Sequence, residues 1–429
     1  MKKPIIYMAA LTALAAASCT AIETNSQNRD DDAITQTENE SPYYISLEQA
    51  LISLDEFFQN TTKSSRSYTI SDAFTVNNPS STKLSAEENP TLLHIVNFEG
   101  EEGYAILSAD IRIPSTVLAV TEKGSLTSDS FVTDTSAEFS PAIIVYRSAA
   151  AAVGDAPGGF DKPDSVTFDP PELEEGETEM TIIRWKAWED IKEVSALLST
   201  AWGQGSPYNK KIPSNNSAGC TTVAGAQVFA YNGVPEYING IKMPYHTLKE
   251  KRVISETSPY ADTVALLFYD IYSKCKPTVT KEGTLIWPKN LVAYMRSNGY
   301  FNVELYKSLN HCDMNRIYSS LDKGNPVIMS AKANGLNAHT WVVDGYVKQK
   351  RNGQYVGMKT GKIYGGKTEF REMAHCNWGW EGNHDGYYYS GVFDVNNPAS
   401  YTPSSVGIKM QSESDGDYDS WYRIITYQY

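Results

Sequence analysis

Two hydrophobic periods run through this chain, and the places where one gives way to the other mark its elements. Leu47, Leu51, Leu54 and Phe58 recur on one helical face, and Ser46 and Gln49 stand at the spacing of a capping box, which predicts a short helix. Strand-like runs follow at 67–76, 92–98, 103–108 and 116–121, broken by Asn-Asn-Pro, Glu-Gly-Glu-Glu-Gly and Asp-Ile-Arg. An alanine-rich stretch at 141–153 reads as a closing helix. The pattern predicts a small α+β domain over residues 43–153.

Residues 154–180 lose both periods. Pro157, Gly158, Gly159, Pro163, Pro170 and Pro171 lead into an acidic run from Glu172 to Glu177, the composition of an extended, solvated connector open to proteases. Beyond it, 181–429 reads as one long domain. Helices are predicted at 258–275, 288–297 and 313–321, the last two starting at Pro288 and Asp313 and stopping at Gly299 and Gly324. From Pro326 the pattern turns strand-like, at 327–330, 339–347, 355–364, 368–377 and 386–394. Helices first and sheet second predict an α+β architecture.

One helix of this domain differs from the rest. Between Lys211 and Glu236 no side chain is charged, and Val223, Ala224, Ala226, Val228, Phe229, Ala230 and Tyr231 leave almost no polar face, so the helix must be covered on all sides, with the late sheet as its partner. Asn232-Gly233 supplies a left-handed stop, and Ser217-Ala218-Gly219 a flexible approach to Cys220 in the first turn. Unpaired amides and the macrodipole favour a thiolate there. A free thiol titrates at about 8.5, and this placement beside an imidazolium lowers it to about 3.5–7.5. Taken alone, Cys220 fits a small buried hydrophobe equally well.

Composition narrows the function. At 429 residues the chain calls for two folded units and connectors, and 41% hydrophobic residues supply their cores. A net charge of −14 without a Lys/Arg cluster argues against a nucleic-acid partner. Residues 1–18 read as a signal peptide, with Lys2 and Lys3 ahead of an apolar run too short to span a bilayer. Ala16-Ala17-Ser18-Cys19 resembles a lipoprotein box, which makes a lipid on Cys19 the only expected membrane attachment; an ordinary signal cut nearby is the alternative. Residues 19–42 are too polar to fold and read as a tether. The expected destination is therefore the cell surface, the periplasm or the medium. The remaining cysteines, Cys220, Cys275, Cys312 and Cys376, give no disulfide framework, and the absence of C-x-x-C and H-E-x-x-H spacings implies neither metal nor cofactor.

A thiolate nucleophile needs an imidazole to hold its proton and a third group to hold the imidazole. From spacing alone His339, at the start of a buried strand, and His375, beside Cys376, are both candidates. The blocks Trp202-Gly203-Gln204, Pro207-Tyr208-Asn209, Gly219-Cys220-Thr221-Thr222-Val223-Ala224, His339-Thr340-Trp341-Val342-Val343-Asp344-Gly345-Tyr346 and Asn377-Trp378-Gly379-Trp380 stand in that order. In this the chain resembles the streptopain-like cysteine peptidases, papain-fold bacterial enzymes made as zymogens. The resemblance spans about 195–400, and the segment 93–120 resembles the family's propeptide.

The resemblance implies a two-lobed peptidase domain, helical part plus antiparallel sheet, with 43–153 as an intramolecular inhibitor and polypeptides as substrates. It implies Cys220 as nucleophile, His339 as general base, Gln204 as oxyanion donor, Asn377 as the amide that orients the ring, and Trp378 as its shield. Ala338, Glu381 and the Thr221-Thr222-Val223 run depart from the family pattern without removing a reacting group, so they bear on specificity. Residues 348–367 read as a hairpin insertion, solvated by default. The alternatives are a catalytically silent surface-binding lipoprotein on the same fold, and an acyl or amide transferase with the same dyad.

Overall fold

A computed structural model describes residues 41, 43–61, 68–78, 89–131, 140–153, 181–280, 283–308, 312–332, 338–357, 361–393 and 421–429. The signal peptide, nearly all of the tether including Cys19, and the connector 154–180 lie outside the described residues. Helix α1 (Leu47–Asn60) opens with the predicted capping box: Ser46 Oγ accepts the Gln49 N–H at 3.3 Å, and Gln49 Oε1 accepts the Ser46 N–H at 3.1 Å. Strands β1 (Ile70–Asn77), β2 (Thr91–Phe98), β3 (Tyr104–Ser108) and β4 (Val117–Thr121) form an antiparallel meander, and α2 (Pro141–Val153) follows.

The second half begins with β5 (Thr181–Trp185) and β6 (Glu189–Val194), neither legible in the sequence. Helix α3 (Cys220–Asn232) leads to the ribbon β7 (Tyr237–Ile238) and β8 (Ile241–Lys242), then α4 (Tyr245–Glu250) and α5 (Ala261–Lys274). The ribbon β9 (Thr278–Thr280) and β10 (Gly283–Leu285), α6 (Pro288–Ser297), β11 (Phe301–Ser308) and α7 (Met314–Leu321) come next. The chain then forms β12 (Val327–Lys332), β13 (His339–Gly357), β14 (Ile363–Asn377), β15 (Gly386–Tyr389) and β16 (Trp421–Gln428). The fold is a mixed α+β one, with the small α+β unit ahead of the larger.

Two expectations for the late sheet need correction. The predicted strand at 355–364 is the ends of two: its described residues belong to β13 and β14, the arms of the hairpin expected over 348–367, with Val356 opposite Ile363. The predicted strand at 386–394 ends at Tyr389, and Ser390–Phe393 is a 3-10 turn. The insertion 348–367 is also not a solvated ornament. Strands β5 and β6 pair along its β13 arm, Arg351 stacks on Trp185 and Trp188 at 4.3 and 4.7 Å, and Glu56 of α1 pairs with Arg351 at 3.7 Å.

One antiparallel sheet joins the two units, in the order β1-β2-β3-β4-β15-β14-β13-β12-β16-β11. The joint is β4 on β15, with Thr121 opposite Gly386 and Val120 opposite Tyr387. Gly386 is required there, because a Cβ would meet the Val120 oxygen at 2.3 Å. The period of two then sorts the core. Val327, Met329, Trp341, Val343 and Ile424 face α7 and the N-terminal unit, while Ile328, Val342 and Ile425 face α3, α5 and α6. Helix α3 is thus covered all round, with Thr221 through Ala230 buried.

Candidate active site

Cys220 is the first residue of α3, and Gly219 ahead of it has φ +83°. A Cβ at Gly219 would also lie 2.7 Å from the Thr284 oxygen, so only glycine lets the chain turn into the helix this close to β10. Cys220 is half-buried, and its place in the first turn puts it at the positive end of the helix dipole. On the facing strand His339 opens β13 opposite Ala331 of β12, with its ring buried.

The His339 ring stands close enough to the Cys220 thiol to act on it through its charge and as a hydrogen-bonding partner. Burial pushes the thiol up, but the His339 charge, the bond to its ring and donors from the Thr340 main chain and hydroxyl outweigh burial and bring it down to about 7. The other ring nitrogen, Nε2, lies 2.9 Å from the Trp378 carbonyl oxygen. A carbonyl only accepts, so Nε2 is the nitrogen that carries the proton of the neutral ring. Trp380 covers the imidazole at 4.5 Å between ring centres, nearer than Trp378 at 6.2 Å or Trp341 at 6.3 Å.

The amide assigned from the motif does something else. Asn377 Oδ1 accepts from Gln227 Nε2 at 2.9 Å and from the Gly379 N–H at 3.2 Å, and its Nδ2 donates to the Thr200 oxygen at 2.7 Å. Gln227 Oε1 in turn accepts the Trp202 N–H at 3.1 Å. Asn377 therefore ties the turn after β14 to α3 and to the segment around Thr200 and Trp202, while the neighbouring carbonyl meets the ring. Trp378 is itself anchored by its N–H to Asp385 Oδ1 at 2.8 Å, and burial raises that carboxyl to about 7 against the pull of this bond.

Gln204 is fastened to the approach to Cys220. Its main-chain oxygen accepts the Ala218 N–H at 3.0 Å, and its Oε1 accepts Ser217 Oγ at 2.9 Å. Glu381, the departure from the family turn, lies against Gly203, where a Cβ would meet its Cγ at 2.7 Å. His375, the rival base, is buried away from the sulfur, with Nδ1 2.6 Å from Asp344 Oδ1 and Nε2 3.4 Å from Glu122 Oε1. Burial opposes its charge, but the two carboxylates raise it to about 10.

Sequence reasoning missed Thr340, Gln227, Trp380 and Ser217 as members of this set. Gln227 had a signal, as a large polar side chain in an otherwise apolar helix. Thr340 Oγ1 lies 3.1 Å from Thr221 Oγ1 and 2.9 Å from Ser330 Oγ, a hydroxyl cluster behind the sulfur assembled from α3, β12 and β13 that no linear spacing reveals. The arrangement joins a thiol brought near neutrality, a proton acceptor, helix-end amides and a side-chain amide, which together suit acyl transfer.

Residues 202–388 match the Peptidase C10 family, and residues 23–139 match the Spi protease inhibitor family. The comparison with curated proteins returns no match.

Proposed function

Residues 202–388 belong to the peptidase C10 family, and from that premise, with an inhibitor-like region ahead of them, we propose that the chain is an exported cysteine endopeptidase made as an inactive precursor. Cys220 attacks a peptide carbonyl carbon as the thiolate. The oxyanion is received by the Cys220 N–H and Gln204 Nε2, and the His339 imidazolium gives its proton to the leaving amine. His339 then takes a proton from water, which cleaves the thioester and returns the thiolate. Residues 43–153 act as inhibitor in cis, the connector 154–180 is where trimming frees the enzyme, and Cys19 carries the lipid if the chain is anchored.

The observation that carries this reading is the Cys220 thiol, at a helix start and beside His339, brought down to about 7. Incubation of the chain, after trimming has activated it, with a cysteine-directed epoxide, followed by mass spectrometry, tests it. Label is expected on Cys220 alone, and Cys220→Ala should lose both casein hydrolysis and self-trimming. An unlabelled Cys220, or a Cys220→Ala chain that still digests casein, rejects the reading and favours a silent surface-binding protein.

A further inference from the structure

Ser217 takes no part in the reaction described above, yet its hydroxyl touches Gln204. We propose that Ser217 is a positioning residue that decides which end of the Gln204 amide faces the reacting carbon. The inference rests on the reading of Gln204 as an oxyanion donor. A primary amide is nearly symmetric in shape but opposite in charge at its two ends. With Nε2 inward it stabilises an oxyanion, and with Oε1 inward it repels one.

The surroundings of Ser217 break that symmetry. The Gly219 N–H donates to Ser217 Oγ at 3.3 Å, so the hydroxyl oxygen already accepts, and its own proton goes to Gln204 Oε1 at 2.9 Å. In the flipped amide Ser217 Oγ would face two N–H donors while its own proton lost this acceptor. The Ser217 main chain is fixed in turn, because Thr284 Oγ1 of β10 donates to its carbonyl oxygen at 2.6 Å and the Gln204 carbonyl accepts the Ala218 N–H at 3.0 Å. Gln204 Nε2 has no hydrogen-bond partner among the described residues, which leaves it as the available donor.

The test is a double-mutant cycle in the full-length chain after activation, with rates expressed per titrated Cys220 thiol. Gln204→Ala is expected to cost about 100-fold in kcat, as loss of one oxyanion donor does. Ser217→Ala is expected to cost about two- to tenfold in kcat with KM unchanged, the worth of one neutral hydrogen bond. A peptide aldehyde, whose adduct presents its oxygen to the same donors, should weaken by the same factor. Ser217→Thr should restore both, and iodoacetamide, which forms no oxyanion, should alkylate every variant at the parental rate. In the Gln204→Ala background Ser217→Ala should cost nothing further. Parental kcat in Ser217→Ala, or a loss that persists undiminished without Gln204, overturns the inference alone. Parental kcat in Gln204→Ala overturns the oxyanion role of Gln204 and this inference with it.

Discussion

His339 Nε2 meets the main-chain oxygen of Trp378 at 2.9 Å, an acceptor that no side-chain substitution removes. The ring is therefore oriented by the shape of the turn after β14, and the side chains of that turn act on it only by holding the shape.

Asn377→Ala tests this. The substitution leaves Gln227 Nε2 and the Thr200 oxygen buried without their partner, which should lower stability by about 1–3 kcal/mol per group in urea unfolding. The pH midpoint of Cys220 alkylation should stay put, because the imidazole keeps its acceptor. A midpoint that moves upward would put Asn377 on the ring itself.

The thiol's own titration gives a second prediction. Alkylation of Cys220 by iodoacetamide should rise through about pH 7 rather than near its ordinary 9.0. Burial alone would push the thiol above 9.0, so His339→Ala should move the midpoint up by removing the largest opposing influence. Thr340→Val should move it the same way by a smaller amount, since one donor goes and the imidazolium stays. Rate against pH for the three proteins checks the order.

The joint between the two units carries a charge cluster whose pH window follows from its groups. Glu122, at the end of β4, lies 2.8 Å from Arg252 and 3.4 Å from His375. Burial raises its carboxyl, but His375 and Arg252 bring it down to about 2 from an ordinary 4.5. Its contribution is thus complete above 4.5 and lost as pH falls towards 2. His375, raised from 6.5 to about 10, contributes fully below 6.5 and loses its share as pH climbs to about 10. The joint is firmest between those limits. In thermal melts of the full-length chain from pH 5 to 2, Glu122→Gln should therefore fall less steeply than the parent; parallel curves would remove Glu122 from the latch.

Where the sequence was legible, the information was local. The capping box at Ser46, the Asp313 side chain accepting from the Arg316 N–H at 3.0 Å, and Gly233 in the left-handed region are each set by residues within a turn. Strands β5 and β6 were invisible because they lack the alternation that marks a half-buried strand: β6 runs Glu-Asp-Ile-Lys-Glu-Val and is mostly exposed, and it is a strand only because β13 lies beside it. Strand β11 does carry the signal, in Phe301-Asn302-Val303-Glu304-Leu305, and could have been read from it. The hairpin over 348–367 was legible and the β13–β14 pairing bears it out, but the strand expected at 355–364 overran it, since tyrosine and valine continue the strand pattern. At the site, spacing left His339 and His375 both open beside Cys220, and the family resemblance was what pointed to His339, Gln204 and Asn377. Whether a ring nitrogen meets an amide or the next residue's carbonyl depends on the turn's path, which the sequence does not encode as spacing.

The two positive-φ glycines at the ends of α3 separate backbone need from packing need. Gly219 has φ +83° and a Cβ there would meet the Thr284 oxygen at 2.7 Å, whereas Gly233 has φ +74° with nothing within 4 Å. An alanine at Gly233 meets the left-handed cost of about 1–2 kcal/mol, and at Gly219 (φ +83°, ψ 141°) it meets a positive-φ extended conformation that is nearly confined to glycine. Only at Gly219 must β10 also be displaced, and β10 bears the Thr284 hydroxyl that holds Ser217. Gly233→Ala should thus lower the melting temperature and leave kcat/KM near parental. Gly219→Ala should lower the melting temperature further and cut kcat/KM by more than about tenfold, because a shift of about 1 Å in a reacting group costs about 100-fold. Equal activity losses in the two variants would mean that helix stability, and not the approach of β10 to the Cys220 turn, governs the site.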